Sequence, residues 1–63
     1  MKYENQILKF YKESGCIPEG IKGYCYSVEN EYAWVCFEYP ILGYKNLKIH
    51  LNVIKNSAAI VRS

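Results

Sequence analysis

The hydrophobic pattern of the first segment predicts a helix over residues 4–14. Apolar or small residues recur there at three- and four-residue spacing, with Leu8 widening the stripe: Tyr3, Ile7, Phe10, Tyr11 and Ser14. Gly15 follows at the point where helices commonly end in a left-handed residue. A helix of about three turns is marginal alone, so its stripe is expected to pack on another element.

The middle of the chain predicts a β-hairpin. Residues 16–23 read as a connector because they hold Pro18, Gly20 and Gly23. Residues 24–28 and 32–39 then form two segments rich in aromatic and β-branched side chains, which is typical of strands. Residues 29–31 supply the turn, where Asn30 can adopt a positive φ.

The C-terminal third carries the cleanest alternation in the sequence. After Pro40 and a turn over residues 41–46, residues 47–54 predict a strand. In it Leu47, Ile49, Leu51 and Val53 alternate with Lys48, His50 and Asn52. Residues 55–57 turn the chain, and residues 58–62 predict a short final strand.

These elements predict one small α+β domain spanning residues 1–63. Short connections favour an antiparallel meander of three or four strands. The N-terminal helix is expected to pack across one face of that sheet, which buries both apolar stripes.

The position of the aromatic side chains depends on the hairpin register. A three-residue loop places Tyr24, Tyr26, Tyr32 and Trp34 on one face, whereas a two-residue loop divides them between two faces. That face is either the core beneath the helix or an open contact surface, and the sequence favours neither.

The aromatic content indicates a contact surface in either case. Ten of the 63 residues are aromatic, seven of them tyrosine, and 51% of the residues are hydrophobic. A chain this short buries only about 60% of the surface that its unfolded form exposes. Surplus aromatic residues are therefore expected at the surface, and a homodimer or higher oligomer is expected as a means of burying them.

The charge indicates what kind of partner to expect, and the cysteine content indicates the cellular location. The net charge is +2, from seven lysines and one arginine against six acids, which is weak for a nucleic-acid binder. No apolar run approaches the ~20 residues that cross a bilayer, and the N-terminal residues do not resemble a signal peptide. Three cysteines, an odd number, argue against a disulfide framework, so a cytoplasmic location away from membranes is expected.

The sequence offers little catalytic or metal-binding chemistry. His50 is the only histidine and falls on the polar side of a predicted strand, so no enzyme activity is expected. Cys16, Cys25 and Cys36 are too widely spaced for a zinc knuckle, although Cys25 and Cys36 could meet across the hairpin in a redox-linked bridge. No phosphate-binding loop is present, and no cofactor is expected.

The favoured function is therefore a non-enzymatic protein-binding module. A small inhibitor or adaptor fits, of the kind that phages and mobile elements encode against host enzymes or defence proteins. The alternative is a single-stranded nucleic-acid-binding protein that stacks bases on the same aromatic face. The candidate partner-binding residues are Tyr24, Tyr26, Tyr32, Trp34 and Tyr44, with Lys22 and Lys48.

Overall fold

The chain folds as a five-stranded antiparallel sheet with one short helix. A computed structural model describes residues 2–62. Its elements in chain order are β1 (Gln6–Phe10), β2 (Lys22–Glu29), β3 (Tyr32–Ile41), β4 (Tyr44–His50), α1 (Leu51–Ser57) and β5 (Ala58–Ile60). The strand order across the sheet is β4-β3-β2-β1-β5.

The first four strands form an antiparallel meander, and β5 forms the edge beside β1. The predicted meander did not include β1, because its residues were assigned to a helix. From the end of β4 the chain passes through α1 to the far side of the sheet, where β5 pairs antiparallel with β1. Leu8 stands opposite Ile60 in that pair, and Phe10 stands opposite Ala58. Residues near the two ends of the chain are therefore paired side by side in the sheet.

The predicted N-terminal helix over residues 4–14 is wrong. Residues 6–10 form β1, which lies between β2 and β5. Leu8 and Phe10 are fully buried on one side of this strand, while Lys9 between them is exposed. Five residues are too few to distinguish a helical from an alternating pattern, and pairing with two neighbouring strands decides the outcome. The fold is thus mostly antiparallel sheet with a short C-terminal helix, not an N-terminal helix packed on a sheet.

The predicted strand over residues 47–54 is right in its first half and wrong in its second. Strand β4 ends at His50, which has an extended backbone and is the N-cap residue of α1. The His50 imidazole Nδ1 accepts a hydrogen bond from the Asn52 backbone N–H at 3.0 Å, which satisfies one of the free donors of the first turn. Ile54 is fully buried in α1, so a seven-residue helix of about two turns replaces the expected continuation of the strand.

Two-residue turns join the central strands. Asn30 and Glu31 connect β2 to β3, and Asn30 has the expected positive φ of 57°. Leu42 and Gly43 connect β3 to β4, in place of the longer turn predicted over residues 41–46. Both have positive φ, 52° and 86°, as a type I′ hairpin turn requires.

The core lies on one side of the sheet, which we call the inner face. Alternate strand residues contribute to it, and α1 and the connector after β1 supply further apolar residues. The buried apolar residues are Leu8, Phe10, Ile17, Ile21, Cys25, Ala33, Val35, Phe37, Ile41, Ile49, Ile54 and Ala58. The rings of Phe10 and Phe37 lie 5.9 Å apart at its centre, and this arrangement leaves the opposite side of the sheet, the outer face, to solvent.

Candidate functional site

The outer face gathers four of the predicted aromatic contact residues. Tyr24 and Tyr26 belong to β2, and Tyr32 and Trp34 belong to β3. Their exposed fractions are 43%, 40%, 40% and 36% respectively. Each side chain is thus partly buried and partly open. The four lie on one face although the loop has two residues, the case in which the sequence predicted that they would be divided.

A β-bulge in β2 brings these rings together. The two-residue loop pairs Glu29 with Tyr32, a register that by itself would divide the aromatic residues between the faces. The register shifts between Cys25 and Ser27, so Tyr26 is the additional residue. Beyond this bulge Tyr24 stands opposite Cys36, and the alternation is restored.

Ile7 belongs to the same surface, although its spacing from Tyr3 and Phe10 predicted a place on a helix stripe. It stands directly opposite Tyr24 and is 48% exposed. Its backbone carbonyl accepts a hydrogen bond from the Val61 backbone N–H at 2.8 Å, which places the C-terminal segment beside it. The signal was present in the alternation of exposed Ile7 and Lys9 with buried Leu8 and Phe10, but the helical spacing concealed it.

Lys48 lies at one edge of the aromatic group. It stands opposite Trp34 across β3 and β4, and its Nζ lies 4.9 Å from the centroid of the Tyr32 ring. The His50 ring contacts the same tyrosine edge-on, with centroids 5.1 Å apart. A cation over an aromatic face is a favourable arrangement that also holds the ring in place.

Lys22 lies at the other end of the outer face, beside Glu38. The Glu38 carboxylate Oε2 accepts a hydrogen bond from the Lys22 backbone N–H at 2.7 Å. A lysine and a glutamate therefore occupy neighbouring positions on β2 and β3 at this end of the surface. Together with Ile7, Gly23, Tyr24 and Cys36, these two residues line a shallow groove of about 270 Å³.

Tyr44 does not join the aromatic group. It follows the β3–β4 turn and is 65% exposed, next to Leu42, which is 79% exposed. These two side chains form a separate apolar tip of the hairpin. Of the seven predicted partner-binding residues, six therefore lie on the outer face and Tyr44 lies apart.

The potentially reactive side chains are dispersed. Cys25 is buried on the inner face, whereas Cys36 is directed to the outer face, so the bridge left open by the sequence would have to cross the sheet. Burial raises the pKa of the Cys25 thiol, with a smaller contribution from the nearby Glu4 carboxylate. His50 is used in capping α1, and its Nε2 lies 4.0 Å from a carboxylate oxygen of Glu31.

Residues 2–62 contain no group of three or more histidine, cysteine, aspartate or glutamate side chains placed to hold a metal ion. Within the same residues, no helix has the length and apolar character needed to cross a membrane. Comparisons with protein-family models, curated proteins and solved structures give no match to this chain. The arguments for function therefore rest on the geometry of the outer face.

Proposed function

We propose that this chain is a non-enzymatic protein-binding module, of the inhibitor or adaptor type, and that the outer face is its contact surface. The observation that supports this proposal is the grouping of four aromatic rings on the side of the sheet opposite the core. Tyr24, Tyr26, Tyr32 and Trp34 each keep 36% to 43% of their surface exposed.

The outer aromatic residues are not part of the hydrophobic core. The inner face already buries two phenylalanines and a set of aliphatic side chains against α1 and the connector. Tyrosine and tryptophan give large and rigid contact area at low entropic cost, and they dominate binding energy at many interfaces. A partner that covers this surface is therefore the economical explanation for it.

The chemistry of the face favours a protein over a nucleic acid. Its cations are dispersed: Lys9 and Lys22 lie at one end, where Glu38 is a neighbour, and Lys48 lies over a tyrosine ring at the other. A single-stranded nucleic acid would need a more continuous positive groove along its backbone. The three free thiols support a reducing, cytoplasmic location as part of this proposal.

The test is affinity capture from the native host with wild-type protein and the Trp34→Ala variant, each with and without nuclease. Removing a central aromatic side chain costs about 2 kcal/mol or more at an interface, which weakens binding roughly thirtyfold. Capture of a defined protein should therefore be lost in the variant and should not depend on nuclease.

Tyr39→Ala is the matched control, because Tyr39 is an exposed aromatic residue of β3, at 49%, that lies beyond the outer group in the irregular part of the strand. It should retain the partner, and circular dichroism should show that both variants are folded. Equal capture by wild type and Trp34→Ala would contradict the proposal. Capture that needs nucleic acid, with steep loss between low and moderate salt, would transfer the function to single-stranded nucleic-acid binding.

A further inference from the structure

We infer that one partner of the outer face is a second copy of this chain, which forms a symmetric dimer with two sheets packed face to face. The inference rests on the proposed function, because it uses the same contact surface. The two-fold axis runs parallel to the strands, between β2 and β3. Each β3 then lies over β2 of the other copy.

One pair of charges on the outer face, Lys22 and Glu38, is self-complementary about this axis. Gly23 pairs with Phe37, so Lys22 and Glu38 occupy neighbouring positions at the same level of β2 and β3. Rotation about the axis brings Lys22 over Glu38 of the second copy and Glu38 over its Lys22. A two-fold interface requires this reciprocity, and here both pairs have opposite charge.

The apolar positions repeat the same correspondence. Tyr24 stands opposite Cys36 within one sheet, so the axis places each Tyr24 ring over Cys36 of the second copy. Cys36 lines the 270 Å³ groove, together with the apolar side chains of Ile7 and Tyr24. Each copy can therefore receive a tyrosine ring while offering one. Further along the strands, Trp34 of one copy lies over the β2 bulge at Tyr26 of the second copy.

The size of the face is sufficient for a weak dimer. The two largest dimensions of the molecule are 26 and 22 Å. A face of that extent can bury roughly 600 Å² per protomer, which is at the lower end of the range for specific interfaces. Two such sheets stack about 10 Å apart, as in a β-sandwich. We therefore expect a dissociation constant in the micromolar range.

The sheet edges are less suited to self-association than the face. Edge strand β4 carries Lys45 and Lys48, and lysines on an edge disfavour pairing with another strand. The opposite edge, β5, is only three residues long. Edge-to-edge growth of the sheet is consequently the weaker alternative.

The first experiment measures mass and fluorescence of the wild-type protein across protein concentration. Sedimentation equilibrium should show a transition from 7.4 kDa to twice that mass in the micromolar range. Trp34 is the only tryptophan, so its emission should move to shorter wavelength over the same concentrations. A 7.4 kDa species up to several hundred micromolar would overturn the inference, as would dimerisation without a change at Trp34.

The second experiment uses charge reversal in two separate variants, Lys22→Glu and Glu38→Lys. Each alone should be at least tenfold weaker in self-association, because both of its intermolecular pairs become like-charged. An equimolar mixture should form a heterodimer, since both pairs between the two variants are again opposite in charge. Lys12→Glu, a charge reversal on the exposed connector, serves as the control and should dimerise like wild type.

Circular dichroism establishes that each variant is folded, which matters for Glu38→Lys because it removes the hydrogen bond to the Lys22 backbone. If the wild type dimerises but the mixture of the two folded variants does not form a heterodimer, the face-to-face arrangement is overturned. If the wild type is monomeric and captures a host protein that the Trp34→Ala variant does not, the dimer is overturned and the proposed function stands.

Discussion

Replacing Gly23 with alanine should destabilise the fold, because this glycine lies beneath two core side chains. Gly23 is on the inner face of β2, and its φ is not in the left-handed region. A Cβ at this position would lie 2.5 Å from Cγ1 of Val35 and 3.0 Å from Cδ1 of Phe37. The cost is therefore steric and does not arise from the backbone conformation.

The two neighbours cannot move away easily, since Val35 is fully buried and Phe37 is 1% exposed. Overpacking of this kind costs about 1–3 kcal/mol. Restricting the unfolded chain returns about 0.4–1 kcal/mol for a glycine-to-alanine change. The expected net loss is about 1–2 kcal/mol, a large share of the stability of a domain this small.

The assay is thermal and urea unfolding of wild type and Gly23→Ala, followed by Trp34 fluorescence and circular dichroism. A loss of 1–2 kcal/mol corresponds to a fall in Tm of about 5–15 °C for a chain of this length. A double-mutant cycle with Val35→Ala supplies the control, because that change removes the atom of closest approach. Gly23→Ala should cost about 1 kcal/mol less in the Val35→Ala background. A stabilising Gly23→Ala, or strict additivity of the two changes, would refute the packing argument.

Substitutions at two positions and one labelling experiment test local features of the fold. Leu42→Asn should raise stability by about 0.5–1 kcal/mol in thermal unfolding, because leucine is held at a φ of 52° in a type I′ turn that asparagine prefers. His50→Ala should cost about 1 kcal/mol through loss of the cap of α1, and His50→Asn should recover most of it; equal stability of all three proteins would argue against capping. In thiol labelling of the folded protein near pH 8, Cys16 should react readily, whereas Cys25 should react only after unfolding, since burial both shields this thiol and raises its pKa. Labelling of Cys25 at the rate of Cys16 would contradict its placement in the core.

The placement of the aromatic group could be predicted only in part. The sequence identified Tyr24, Tyr26, Tyr32 and Trp34 and the two ways in which a hairpin could arrange them. The loop has two residues, which alone would have separated the rings, and the bulge at Tyr26 compensates for it. A bulge depends on how both strands pack against their neighbours, and no residue in the sequence marks it.

The local pattern by itself determined the antiparallel hairpin of β2 and β3, the positive φ of Asn30 and the first half of the strand that contains Leu47 and Ile49. These features follow from alternation and turn chemistry within a few residues, so they are visible without a tertiary context.

Tertiary structure decided the state of both ends of the chain. Residues 6–10 become a strand because β2 offers one edge and β5 offers another, and Ile7 is thereby directed outward beside Tyr24. Residues 51–57 become a helix because capping by His50 and burial of Ile54 outweigh an alternation that continued through Val53. In both segments the local pattern favoured the wrong element. Long-range pairing or packing, which the sequence does not display, supplied the free energy that decided between helix and strand.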